Sequence, residues 1–140
     1  MEKTFCILKP DITKDGHVGE IITILEKNHF IIEKIKIETI NEARALMLYS
    51  EHITKPFLPE VLNYMRSGPV VILCLSRINA VSELRNLIGT TNPSMAAEGT
   101  IRRLFGKSVG NNGIHGSDSI NAARREIGIF FPEFAYLIDL

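Results

Sequence analysis

Apolar residues recur along this chain with two different periods. Thr4-Phe5-Cys6-Ile7-Leu8 is a short β-type run stopped by Lys9-Pro10-Asp11, because Pro10 has no N–H to give to a ladder. Residues 13–16 carry turn chemistry. Val18, Ile21, Ile22 and Leu25 then fall at helical spacing, which predicts an amphipathic helix over 18–28. From 30 to 40 the pattern alternates. Ile31, Glu33, Ile35 and Ile37 share one side, and Ile32, Lys34, Lys36 and Glu38 the other, which predicts a long strand with one buried face.

Residues 42–51 read as a helix with Ala45, Leu46 and Tyr49 on one side. Residues 55–59 form a proline-stiffened connection, and Pro59 suits the first position of a helix running to 66. Residues 67–69 are a turn. The run 70–75 is wholly apolar between turn signals, the signature of a central strand buried on both faces. Asn79 is an N-cap type for a helix over 80–88 with Val81, Leu84 and Ile88 inward. The segment 89–114 differs, with five glycines and one apolar piece at 101–105. A connection of that length inside a compact domain is uncommon unless it is functional. It leads into a helix from about 118, with Ile120, Ala123 and Ile127 inward, and a last short strand at 128–131 ended by Pro132. The order β-α-β-α-α-β-α-loop-α-β predicts one α+β domain over 1–140. Its helices would pack on one face of a mixed four-stranded sheet in a ferredoxin-like, split βαβ arrangement.

Composition changes this picture little. The chain has 140 residues, 45% hydrophobic and 23% charged, with 16 basic and 16 acidic side chains. A formal net charge of zero does not point to a nucleic-acid binder, so any anion site must come from local clustering. Cys6 and Cys74 each sit inside an apolar run, the habit of buried free thiols in a cytosolic protein; spacing alone leaves a disulfide open. No leader and no apolar run near ~18 residues is present, so the expectation is a complete cytoplasmic chain.

The candidate chemistry centres on Asn112-Gly113-Ile114-His115-Gly116-Ser117-Asp118. A histidine with an unperturbed pKa near ~6.5 is largely neutral at pH 7 and can attack an electrophile without a separate base. Lys9, Arg85 and Arg102 would neutralise a polyphosphate if they converged on that ring, since guanidinium forks match phosphate oxygens. Read singly, Tyr49 could be core, Phe57 a hydrophobic staple, Thr91 turn chemistry and Glu126 a solvated helix residue. His17 and His29 fall at surface or turn positions.

The chain resembles the nucleoside diphosphate kinase family over essentially its whole length. The resemblance is carried by residues 4–11, Tyr49-Ser50-Glu51-His52, Lys55-Pro56-Phe57, residues 64–70, Gly89-Thr90-Thr91-Asn92-Pro93, Gly99-Thr100-Ile101-Arg102 and residues 112–119, in order and at consistent spacing. It implies ping-pong phosphoryl transfer, from a nucleoside triphosphate to a different nucleoside diphosphate, through a phosphohistidine. Carried over, His115 is the nucleophile, and Ser117 and Glu126 orient it. Lys9 and Tyr49 lie near the transferred group. Arg85, Thr91 and Arg102 clamp the outer phosphates, and His52 lies near the inner one. Asn112, with Lys9, meets the ribose hydroxyls. Phe57 and Val109 wall the base, so broad base tolerance follows from stacking. Magnesium would bridge phosphate oxygens and keep mostly water ligands, so no protein metal cage is expected. The resemblance also implies a homo-oligomer, hexamer or tetramer.

Three departures fall in the long loop: Arg103-Leu104 after Arg102, Glu98 before Gly99, and Asn111 before Asn112. They bear on subunit contacts and touch no matched catalytic position. Two other functions compete. One is a nucleotide-binding regulatory module on the same fold without the reaction. The other is a single-stranded nucleic-acid binder using Arg102-Arg103, Arg124-Arg125 and Phe57. The intact His115, Lys9 and Arg102 oppose the first, and zero net charge the second.

Overall fold

The computed structural model describes residues 1–50 and 54–134. The elements run β1 (Glu2–Leu8), α1 (Pro10–Asp15), α2 (Val18–Lys27), β2 (Ile31–Glu38), α3 (Glu42–Leu48), α4 (Leu58–Met65), β3 (Val70–Arg77), α5 (Ala80–Ile88), α6 (Ile101–Phe105), β4 (Ile114–Gly116) and α7 (Ile120–Phe130). The sheet order is β2-β3-β1-β4 with every neighbouring pair antiparallel. This is the split βαβ, ferredoxin-like topology, with an antiparallel sheet in place of the expected mixed one.

The helices cover both faces of the sheet rather than one. Cys6 and Leu8 of β1 and Val71, Leu73 and Leu75 of β3 face α2, α5 and α6. Phe5, Ile7, Val70, Ile72 and Cys74 face α3, α4 and α7. Successive strand side chains point to opposite faces, so the two unbroken apolar runs are what two-sided burial requires. Both thiols are free and buried, on opposite faces.

Four local expectations are corrected. Residues 13–15 belong to α1, which Pro10 opens at its first position and Gly16 caps at φ 78°. On β2, Ile31, Ile35 and Ile37 are the exposed side, 47–66% accessible. The lysine side is the covered one: Lys36 lies over the Phe131 ring and donates to the Phe130 carbonyl, and Lys34 lies over Phe134. Long aliphatic stems cover apolar rings while their ammonium heads stay wet. Asn79 sits at the start of α5 in the left-handed region without capping it by its side chain. Glu2 accepts from the Val81 N–H at 2.8 Å instead. Finally, residues 128–131 form no strand. α7 runs through Phe130 because Ile127 and Phe130 continue its buried stripe, while Ile120, expected inward, is exposed. The fourth strand is β4, which contains His115.

Candidate active site

The site is assembled at the C-terminal end of β1. Lys9 leaves the strand in extended conformation, and its N–H donates to the Gly113 carbonyl at 2.8 Å. Gly113 has φ 84°, and a β-carbon there would come 3.1 Å from Ile12. Lys9 Nζ donates to Asn112 Oδ1 at 2.7 Å, and Asn112 Nδ2 donates to the Thr91 carbonyl at 3.4 Å. The end of the long segment is thereby tied to Lys9 at the end of the first strand, and through Asn112 to its own beginning at Thr91.

β4 pairs with β1 so that His115 lies opposite Ile7, on the sheet face covered by α7. The Phe5 ring meets the imidazole edge-on at 6.1 Å. Glu126 reaches the ring from α7: its Oε1 lies 2.5 Å from His115 Nε2 and accepts from Ser117 Oγ at 2.9 Å. Glu126 and Ser117 are buried. A buried carboxylate held by two donors has little freedom to turn away from the ring.

Arg102 and Arg85 line the same small chamber as this pair, and Lys9 lines the neighbouring one. Arg102, on α6, donates from Nη1 to the Gly89 carbonyl at 3.0 Å and from Nη2 to the Ile114 carbonyl at 2.8 Å. Its Nε is buried with no partner. Arg85, on α5, approaches the Gly116 carbonyl at 3.5 Å. Burial first, then the Arg85 charge, pulls Arg102 down to about 10. Burial first, then Arg102, pulls Lys9 down to about 8, partly opposed by Asp11. Cations that depress one another while bonded to neutral carbonyls form a place for an anion. Burial, with Glu126 adding to it, holds the Tyr49 phenol well above its ordinary range, so it remains a neutral O–H.

Two connected chambers result. A cavity of about 170 Å³ is lined by Tyr49, Arg85, Thr91, Arg102, His115 and Glu126, among others. One of about 620 Å³ is lined by Lys9, Tyr49, Phe57, Thr91, Val109 and Asn112, among others. Tyr49 and Thr91 belong to both. Every expected site residue within the described residues therefore falls in one cleft, except that Ser117 acts behind it, through Glu126. Lys9 lines the larger chamber rather than the smaller. His52 lies outside the described residues. Sequence reading gave no role to Tyr64, which lines the larger chamber and donates to buried Asp11, and placed Arg125 only in the basic pair of the competing nucleic-acid reading, whereas it lines the smaller chamber.

Gly89 illustrates how the backbone sets the clamp. At φ 91° and ψ 178° it occupies a region essentially reserved for glycine. A β-carbon would also sit 2.8 Å from Thr100 Cβ. Gly89→Ala should lower stability by about 1–3 kcal/mol. An unchanged thermal midpoint would contradict this reading.

The sequence model described as nucleoside diphosphate kinase matches residues 2–136. The chain belongs to the nucleoside diphosphate kinase family. It is 46% identical over 133 residues to a nucleoside diphosphate kinase of Chlamydia abortus, covering 95% of this chain and 94% of that protein. A Chlamydia pneumoniae relative of the same name is 45% identical, at 95% and 92% coverage. The apo nucleoside diphosphate kinase of Encephalitozoon cuniculi superposes with a TM-score of 0.93 at 36% identity, covering 96% of this chain and 92% of that one. The Halobacterium salinarum enzyme, solved in complex with CDP, superposes at 0.90 and 39% identity, with 93% and 87% coverage. The protein is an enzyme, a phosphotransferase acting on nucleotides. No helix among the described residues is long and apolar enough to cross a membrane.

Proposed function

We propose that the single domain 1–140 moves the terminal phosphoryl of a nucleoside triphosphate to His115 and from there to a second nucleoside diphosphate. The observation that supports this best is an imidazole held at Nε2 by Glu126 beside Arg85 and Arg102, whose guanidinium groups meet backbone carbonyls among the described residues. With Nε2–H donated to the carboxylate, the lone pair lies on Nδ1. That nitrogen attacks phosphorus, the bond to the bridging oxygen breaks, and the diphosphate leaves. The imidazolium character that develops is stabilised by Glu126, which Ser117 holds in place. Arg102, Arg85 and the Tyr49 hydroxyl face the charge on the transferring oxygens, the main task in phosphoryl transfer. Thr91 completes the clamp on the outer phosphates, and His52 is assigned to the inner one. Lys9 and Asn112 take the ribose. Phe57 and Val109, both partly exposed, sandwich the base.

Among the described residues no three His, Cys, Asp or Glu side chains cluster as a metal site. The donor set of the smaller chamber fits magnesium carried on the nucleotide: Asp118 lines it, and phosphate oxygens and water supply the remaining hard ligands. Bound there, the ion would neutralise phosphate charge.

The exposed isoleucines Ile31, Ile35 and Ile37 on edge strand β2 support assembly into a homo-oligomer, a hexamer or tetramer, because such an edge invites pairing with another copy. A cytoplasmic location accords with the free thiols.

The reaction is tested by mixing ATP with CDP, magnesium and protein. CTP should form with ping-pong kinetics, seen as parallel double-reciprocal lines; intersecting lines would rule out the relay. Lys9 adds a pH signature. Its folded-state pKa, about 8 against an ordinary 10.5, lies below the unfolded value. Below about 8 Lys9 is charged in both states, and its burial weakens the fold; that cost is relieved as pH rises from 8 toward 10.5. Lys9 is proposed to lie near the transferred phosphoryl as well as the ribose, and holding that anion needs the charge. Nucleotide affinity should therefore fall above pH 8, by at most roughly tenfold per pH unit for one proton, whereas Lys9→Arg should hold its affinity. A flat wild-type profile by calorimetry would contradict this.

A further inference from the structure

Arg125 immediately precedes Glu126 on α7, and adjacent helix positions do not normally face each other. Here the guanidinium curls back toward its neighbour. Nη2 lies 3.5 Å from Glu126 Oε2, while Nη1 donates to the Met47 carbonyl at 2.9 Å and to Ser50 Oγ at 3.4 Å. The other oxygen of the same carboxylate, Oε1, holds His115 and Ser117. The two oxygens of this buried group are thus divided between the imidazole and the guanidinium. Met47 and Ser50 flank Tyr49, which walls both chambers. Arg125 itself lines the chamber that contains His115.

We propose that Arg125 is a positioning residue for phosphoryl transfer. It fixes the rotation of the Glu126 carboxylate, and so the pose of the His115 ring, and it pins the end of α3 with Tyr49 against that pair. A planar fork with several donors can serve a carboxylate, a carbonyl and a hydroxyl together; an ammonium head has the charge without that geometry. The inference rests on His115 being the phosphoryl acceptor. It adds that the ring's pose is set from the far side of Glu126, by a residue that need not touch the nucleotide.

The test uses Arg125→Ala, Arg125→Met and Arg125→Lys in the full chain. Rapid-quench measurement with γ-labelled ATP gives the rate of phosphate transfer to the protein, calorimetry gives ATP affinity, and thermal melting checks the fold. Loss of ring orientation should slow transfer by at least about tenfold at saturating ATP, with affinity held within about twofold. Arg125→Lys should recover little, and guanidinium ion well below denaturing concentration should restore part of the rate to Arg125→Ala. Arg125→Met keeps the stem and serves if the alanine variant melts early. A folded variant that transfers at the wild-type rate, or loses only ATP affinity, overturns the inference alone. A wild-type chain that takes no acid-labile phosphate removes the phosphohistidine reading and the inference with it.

Discussion

His115→Ala is expected to abolish nucleotide exchange while leaving ATP binding nearly intact. In the proposed reaction the imidazole is the phosphoryl acceptor: Glu126 Oε1 lies 2.5 Å from its Nε2, and Arg85 and Arg102 line the same small chamber. Alanine removes the nitrogen that would bond to phosphorus and leaves the cations. The base and ribose contacts proposed for Phe57, Val109, Lys9 and Asn112 lie in the larger chamber, away from the ring. Exchange should therefore fall to background, with the ATP dissociation constant changing by less than roughly tenfold, about 1.4 kcal/mol. Exchange assays with a labelled diphosphate, paired with calorimetry, measure both quantities. Turnover near the wild-type rate in this variant would refute the assignment. The variant also leaves buried Glu126 with Ser117 and Arg125 as its partners, so its melting point should be checked separately.

Arg102→Ala should have the next largest effect, about two to four kcal/mol of transition-state stabilisation, or roughly 30- to 1,000-fold in kcat/KM. Arg102 does two things at once. Its guanidinium is a buried charge on the chamber that holds His115, and it bridges the Gly89 and Ile114 carbonyls, joining the start of the long segment to the strand that carries His115. Loss of the charge alone would lower kcat. Loss of the bridge would also loosen the clamp and raise KM. Arg102→Lys separates the two, since it keeps a charge but cannot span both carbonyls while meeting phosphate. The lysine variant is expected to recover part of kcat and little of KM. An alanine variant within about threefold of wild type would remove Arg102 from the charge-stabilising role.

What could be read from the sequence follows a physical divide. β1, β3, α2 and α5 were legible because their burial has a simple period, or none in a run buried on both faces. β2 misled because hydrophobicity scales ignore the stems of Lys34 and Lys36, which cover Phe134 and Phe131. β4 is three residues long, too short to show alternation, and the apolar run Ile129-Phe130-Phe131 imitates the strand that β4 replaces. The candidate site was legible through the residues around His115 and through family resemblance, not through periodicity. Lys9, Arg85 and Arg102 lie far apart in sequence, and pairing of β4 with β1 helps bring them to one cleft. Arg125 entered only as half of a basic pair, because adjacent positions on a helix ordinarily point apart; in the fold it bonds Met47 and Ser50 and turns back toward Glu126.

The most direct measurement is to incubate the wild-type chain with magnesium and γ-labelled ATP in the absence of any acceptor, then locate the phosphate by tandem mass spectrometry and phosphorus NMR. A single acid-labile, base-stable phosphate should appear on Nδ1 of His115 and discharge when a nucleoside diphosphate is added. Active exchange with no phosphate on that ring, or with phosphate on another residue, would contradict the account.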